Sequence, residues 1–287
     1  MNMNVIGGMK LLEKKFKQVE YNNKKIYGIN NIDSEQLSEI SEFPIGSITK
    51  LFSIISLLLL HQNKQLNIYE NIGKYIKNEH IKDLKIIDIM NHKSGLIRMY
   101  DGVIDGSSKI KYESATQVYH KYNNYNNNKL INEKLKGVSS YSNIGFHILG
   151  YLIEQITGIK YSDFIKKNIL IPLKMDNTGI EDCNITLYNK KLKKLTKYEK
   201  WERTFASSGG ELKSCVKDLI KFSKFVKLLD KQTLDILKEL YIYRKKNDEN
   251  IISHPGYISG GSSGLRINYD NNYYKVKDIY ISLQTAV

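Results

Sequence analysis

The stretch FPIGSITKLFSIISLLLLHQ, residues 43–62, restricts what this chain can fold into more than any other. Positions 51–60 are almost wholly apolar. Such a run is too short to span a bilayer, which takes roughly 20 residues. A helix that is apolar on every side is stable only in an interior. The fold must therefore be built around this helix. Its start carries Ser47 and Lys50, three apart and so on one face. Burying a lysine is costly unless it has partners. The first turn also presents unpaired N–H groups and the positive end of the helix dipole, which favour developing negative charge. A serine hydroxyl needs a nearby base to act as a nucleophile. A lysine whose pKa is lowered by desolvation can be that base.

The four-residue pattern is cheap by chance. It occurs at Ser47/Lys50, Ser108/Lys111 and Ser214/Lys217. The second lies in a polar segment. The third is explained by Ser214 as a helix N-cap followed by a surface lysine. Only the first opens a long buried helix. Tyr-x-Asn is equally common, at Tyr21, Tyr69, Tyr122, Tyr125, Tyr141 and Tyr269, because both residue types abound. Tyr141 differs from the others. It sits in SSYSN, directly before an apolar-periodic helix, where a hydroxyl can point into a cleft. Beside a lysine ammonium, its phenol is expected to lose its proton below the usual value of about 10.

Hydrophobic residues at 41% and charged residues at 26% describe a globular chain long enough for a sizeable core. The net charge of +14 comes from 40 Lys and 4 Arg spread along the whole length, densest at 189–200. With no recognisable binding motif, this reads as a solvated basic surface, and no nucleic acid is expected as a partner. Cys183 and Cys215 are too few for a disulfide framework; they leave room for one disulfide, and two inert buried thiols are the favoured reading. No metal-ligand spacing is present, and no metal or cofactor is implied. The N-terminus lacks a signal-peptide pattern and no segment is long enough to span a membrane, so a cytoplasmic location is expected.

Residues 15–32 read as two strands around a turn. Residues 81–96 read as a helix stopping at Gly95, and 122–129 as an Asn-rich loop. Residues 143–158 read as a helix with a glycine stop, and 161–170 as one ending before Pro172. Residues 214–229 read as an amphipathic helix capped by Ser214. The Gly-, Ser- and aromatic-rich tail reads as successive antiparallel strands. Strands at both ends and helices between suggest one sheet built from both termini with a helical lobe inserted.

Ser47-x-x-Lys50, Tyr141-Ser142-Asn143 and His254-Pro255-Gly256 stand in the order and approximate spacing of the three motifs of serine β-lactamases and penicillin-binding proteins. The chain most resembles the class C β-lactamase-like family, which also holds D-aminopeptidases, D,D-carboxypeptidases and esterases. FPIGSITKLF, IIDIMNHKSGL, NIGFHILGYLIEQITG, PLKMDNT and SSGGELKSCVKDLIKF resemble family segments in the same order. Together the segments and motifs cover roughly residues 24–283.

The resemblance implies an α/β (α+β) fold of the β-lactamase/transpeptidase type, with an antiparallel sheet flanked by helices. It implies a single catalytic domain over 1–287, with the sheet lobe at roughly 1–46 and 205–287 and the helical lobe at roughly 47–204. Ser47 would be acylated, with Lys50 and Tyr141 sharing the proton transfers. Asn143 would bind the substrate amide. His254 and Gly256 would flank the cleft, with Gly256 leaving room for substrate. Backbone N–H groups of Ser47 and Tyr257 would form the oxyanion hole. His254 stands where class C enzymes carry a lysine for the drug carboxylate, so β-lactam recognition should be weaker. Pro255 removes a strand donor. The family's C-terminal helix has no counterpart after the last expected strand, which leaves that sheet face to residues 1–18 or to another subunit. His92 is expected to close a helix end, and His147 to be structural. Trp201 is expected near the cleft or in the core. Asn184 opens a glycosylation pattern that matters only on secretion. The expected activity is a serine hydrolase acting on an ester, an amide or peptide, or a β-lactam. The alternatives are a penicillin-binding D,D-peptidase and a non-catalytic scaffold.

Overall fold

A computed structural model describes residues 16–22, 25–29, 37–99, 114–123, 130–181, 186–189, 194–197, 208–258, 261–273 and 275–286. Strands β1 (Phe16–Asn22) and β2 (Lys25–Ile29) come first. The short β3 (Phe43–Pro44) and a 3-10 turn (Gly46–Ile48) lead into α1 (Thr49–Gln62). Then come α2 (Ile86–Met90), β4 (Ser94–Leu96), α3 (Ala115–Asn123), β5 (Ile131–Lys136) and α4 (Asn143–Thr157). Helix α5 (Tyr161–Ile165) passes through a π-helical turn (Lys166–Leu170) into α6 (Ile171–Leu173). A hairpin of β6 (Thr186–Asn189) and β7 (Lys194–Lys197) precedes β8 (Lys213–Ser214), α7 (Val216–Phe222) and α8 (Lys231–Ile236). Strands β9 (Tyr243–Lys246), β10 (Glu249–Ile258), β11 (Gly261–Tyr269) and β12 (Val276–Ala286) complete the order.

Both ends of the sequence meet in one sheet. Its strand order is β2-β1-β12-β11-β10-β9, antiparallel throughout. The first and last strands pair in continuous register, from Phe16↔Ala286 to Asn22↔Tyr280. Period-two alternation sets which face is covered. Leu265, Ile267 and Tyr269 of β11 and Ile279, Ile281 and Leu283 of β12 are all buried. Against this face lie α7 and the 3-10 segment after it, where the Tyr269 hydroxyl donates to Ser223 O at 2.6 Å.

Helix α1 is enclosed as its composition requires, with every residue from Thr49 to Leu60 buried. Phe52 stacks on Phe222 of α7, ring centroids 4.3 Å apart. Its polar residues are satisfied one by one, as buried groups must be. Ser53 Oγ bonds Ser208 O and Tyr161 Oη, Ser56 Oγ bonds Phe52 O, and Thr49 Oγ1 accepts from Leu212 N.

Three local expectations are corrected. The helix expected over 81–96 is helical only over Ile86–Met90, and Gly95 lies in β4. His92, just past the helix end, takes a left-handed φ of 57°, and its ring Nδ1 accepts from Ser142 N at the entrance to α4. The helix expected to stop before Pro172 runs on to Leu173. Proline lacks a donor and crowds the carbonyl four residues back; the wider π-helical turn immediately before it accommodates both. Cys215, not Ser214, holds the N-cap position of α7. The Ser214 hydroxyl is buried and bonds Thr178 Oγ1 instead. Cys215 is buried, and burial pushes its thiol up to about 11. Cys183, Asn184, Trp201, Ser108, Lys111 and residues 124–129 lie outside the described residues, as do residues 1–15.

Candidate active site

The turn that carries Ser47 is clamped against the sheet by two glycines. Gly46 has φ +50°, and a Cβ there would lie 2.9 Å from Tyr257 N. At Gly256, a Cβ would collide with Ile45 O and with Ser263 Oγ. Ser263 Oγ donates to Ile45 O at 2.7 Å, tying the turn to β11. Gly256 therefore admits the backbone that leads into Ser47, a contact the sequence reading did not foresee.

Among the described residues, no strand pairs with this edge of β10 beyond Ser253. Strand β9 pairs with it only as far as Ile252. Ser253 N donates to Ile242 O on the β9 side. The strand's two-residue period puts the N positions of Pro255 and Tyr257 on that same side. Pro255 thus costs the ladder with β11 no donor, and Tyr257 N faces the Gly46–Ser47 turn. The Tyr257 side chain is 74% exposed.

Ser47 Oγ is reached from two sides. Lys50 Nζ lies 3.1 Å away, and the Tyr141 hydroxyl donates to it at 2.7 Å. Lys50 is fully buried, and Nζ also donates to Asn143 Oδ1 at 2.8 Å and Gly209 O at 2.5 Å. Among the described residues no carboxylate pairs with it. Burial, helped by the charge of Arg98, lowers its pKa to about 7. As an ammonium, Lys50 has a partner for each of its three hydrogens. As a neutral amine, it keeps N–H bonds to Asn143 and Gly209 and turns a lone pair on Ser47.

Tyr141 behaves oppositely to expectation. Burial raises its pKa, and the Ser47 hydrogen bond and the Arg98 charge only partly offset this. Tyr141 is thus a proton donor at neutral pH, and the group that ionises in this range is Lys50. Asn143 opens α4 behind the Ser142 N-cap, whose Oγ accepts from Gly145 N at 3.0 Å. Its Nδ2 lies 3.4 Å from Met99 Sδ, a weak acceptor that leaves the amide able to donate elsewhere.

His254 does not line an open site. It is 3% exposed, and burial lowers its pKa to about 4. Nδ1 lies 2.5 Å from Pro255 O, which can only accept, so Nδ1 carries the proton. Nε2 then accepts from the Tyr241 hydroxyl at 2.7 Å. The ring points inward because its neighbours on that strand face, Ile252 and Gly256, also do. The expected contact with substrate is thus replaced by a buried support.

Sequence reasoning missed three contributors. His92 and Tyr241 pack behind the tyrosine, with the His92 ring 4.5 Å from Tyr141 and 4.6 Å from Tyr241 between centroids. Arg98 lies over the Tyr141 ring at 5.3 Å. The available signal was an arginine two residues past the Ser-Gly-Leu segment of a chain whose cations are nearly all lysine. His147 is buried and its pKa is lowered to about 3. A cavity of about 700 Å³ lies elsewhere, beside Lys166, Ile171, Met175 and Lys213, and contains none of these groups. Among the described residues, no cluster of three or more metal-ligating side chains occurs, and no helix is long and apolar enough to cross a membrane.

The family described as Beta-lactamase matches residues 19–276. Penicillin-binding protein 4* of Bacillus subtilis (strain 168) is 25% identical over 166 residues, 56% of this chain and 34% of that protein. Protein flp of Staphylococcus aureus (strain N315) is 24% identical across 87% of this chain and 55% of its own length. The chain thus spans from a third to just over half of these curated relatives. Among solved structures, the D-amino acid amidase of Ochrobactrum anthropi SV3 superposes with a TM-score of 0.74 at 18% identity, covering 94% of this chain and 86% of that one. At that identity, the likeness speaks to the fold alone.

Proposed function

This chain belongs to the Beta-lactamase family, and from that premise we propose that it is a serine hydrolase working through an acyl-enzyme on Ser47. The observation that carries the reading is the convergence of Lys50 Nζ and the Tyr141 hydroxyl on Ser47 Oγ, at 3.1 and 2.7 Å.

Neutral Lys50 takes the hydroxyl proton as Ser47 Oγ attacks a carbonyl carbon. Burial makes that neutral form abundant near pH 7. Charge developing on the carbonyl oxygen is met by the N–H groups of Ser47 and Tyr257, held adjacent by the Gly46 turn. Tyr141 gives its proton to the leaving group and is restored by Lys50. Asn143 Nδ2 turns to the substrate carbonyl or amide. Water then attacks the ester on Ser47, with the same pair managing its proton. The substrate is an ester, a small amide or peptide, or a β-lactam. The relatives' names support an acyl substrate and do not choose among these. Residues 1–287 form one catalytic unit in this reading, and no metal or cofactor takes part.

The protein is to be mixed with benzylpenicillin, an aryl ester and a D-amino-acid amide, beside Ser47→Ala, and followed by mass spectrometry. Product or adduct on any of the three, absent in the variant, supports the reading. Opened penicillin without an adduct means a β-lactamase, and a lasting adduct means a penicillin-binding enzyme. No Ser47-dependent chemistry on any of them overturns the hydrolase and leaves the scaffold.

A further inference from the structure

Lys50, His254 and Arg98 are three of the groups around Ser47 that could carry positive charge, and the first two are already committed. Lys50 is buried and its hydrogens are taken by Ser47, Asn143 and Gly209. His254 is buried, neutral and bonded at both ring nitrogens. The third is Arg98. It is exposed, and among the described residues no carboxylate pairs with it.

Its position is set by the nucleophile's surroundings. Arg98 O accepts from Asn143 N at 3.0 Å, and the preceding Ile97 O accepts from Ser142 Oγ at 2.7 Å. The backbone of residues 97 and 98 is thus stitched to the start of α4. The guanidinium carbon then lies 5.3 Å from the Tyr141 ring centroid, and the Tyr141 hydroxyl is 2.7 Å from Ser47 Oγ. A guanidinium presents a planar fork of donors matched to a carboxylate. It stands on the Tyr141 side, where the leaving group departs in the mechanism above.

We propose that Arg98 is the specificity-determining cation of this site and binds a carboxylate carried on the leaving-group side of the substrate. The inference rests on the proposed function, because it takes the leaving group to depart past Tyr141. It assigns to a loop arginine the anion recognition that the buried, neutral His254 cannot supply.

The test compares two esters that differ in one charge, 3-carboxyphenyl phenylacetate and 3-methylphenyl phenylacetate. The readout is the ratio of their kcat/KM values in the wild type, Arg98→Gln and Arg98→Lys. A change common to both esters reflects the field of Arg98 on Lys50 and cancels in the ratio. The wild type is expected to favour the carboxylate ester, and Arg98→Gln to lower the ratio about tenfold, as loss of one charge-assisted contact implies. Arg98→Lys should keep part of it. An unchanged ratio in Arg98→Gln overturns the proposal. Titration of the carboxylate ester into Ser47→Ala and Ser47→Ala/Arg98→Gln reads the same contact without chemistry. Binding about tenfold weaker in the double variant supports Arg98, and equal binding overturns it. Should the wild type turn over neither ester, the hydrolase reading fails on that arm while the titration still decides Arg98.

Discussion

At the scale of single residues, the site turns on a buried lysine that no carboxylate pairs with among the described residues. Its folded pKa of about 7 lies below the usual 10.5. If Lys50 is the base, kcat/KM rises about tenfold per pH unit below pH 7 and levels off above it. A flat profile from pH 5.5 to 9 would remove Lys50 from that role. The same shift has a sign for stability. Between pH 7 and 10.5 the unfolded chain holds the Lys50 proton and the folded chain does not, so stability from this group rises with pH. Below pH 7 the cost of burying the ammonium is fully present. Relative to Lys50→Met, the wild type should therefore gain in melting temperature from pH 7 to pH 9.5. Equal gains in both proteins would show that Lys50 titrates normally. Tyr141, its pKa raised by burial, is the proton donor of the proposed mechanism. Tyr141→Phe should lower kcat/KM by about 10²–10³-fold at unchanged melting temperature; an activity within a factor of three of wild type would place the proton transfer elsewhere.

At the scale of elements, the junction between the Gly46–Ile48 turn and β10 sets the geometry. Gly256→Ala would drive a methyl group into Ile45 O and Ser263 Oγ. We expect a cost of about 1–3 kcal/mol in denaturant unfolding and a larger fall in activity, since the displaced atoms hold Ser47, the proposed nucleophile. Gly264, opposite Pro255 on β11, has open space around an added Cβ and serves as the control. Equal effects at the two glycines would mean that the clamp is not specific. Some of this scale could be read from periodicity alone. The α4 helix ends at Gly158 in the left-handed region, where a glycine stop was expected. The segment 81–96 could not be read so, because its apolar spacing is helical throughout. It is helical only over Ile86–Met90, and beyond it His92 takes a left-handed φ of 57° and accepts from Ser142 N, a contact across fifty residues.

At the scale of the whole molecule, the charge of +14 lies on a chain whose site carries the exposed guanidinium of Arg98, with which no carboxylate pairs among the described residues. Long-range fields raise encounter rates for opposite charges and are screened by salt. The kcat/KM for the carboxylate ester should fall several-fold between 50 and 500 mM salt, while that for the neutral ester stays constant. Parallel behaviour of the two esters would mean that the net charge does not steer substrate.

The apolar run at 51–60 was enough to require a buried central helix, because no other environment stabilises one apolar on all sides. The order of Ser47, Lys50, Tyr141 and Asn143 was legible for the same kind of reason: each sits at the start of a helix that announces itself. The placing of strands at both ends with helices between likewise foretold a shared sheet, though not that Phe16 would pair with Ala286. Direction and burial were decided by packing. Whether His254 faces a substrate or Tyr241 depends on the pleat of β10 and on where β9 stops pairing. Whether Tyr141 or Lys50 ionises near neutrality depends on desolvation by residues far apart in the chain. Gly256 looks the same in sequence whether its missing side chain admits a ligand or Ile45 O. Such properties belong to the surroundings of a residue, and only the folded chain supplies them.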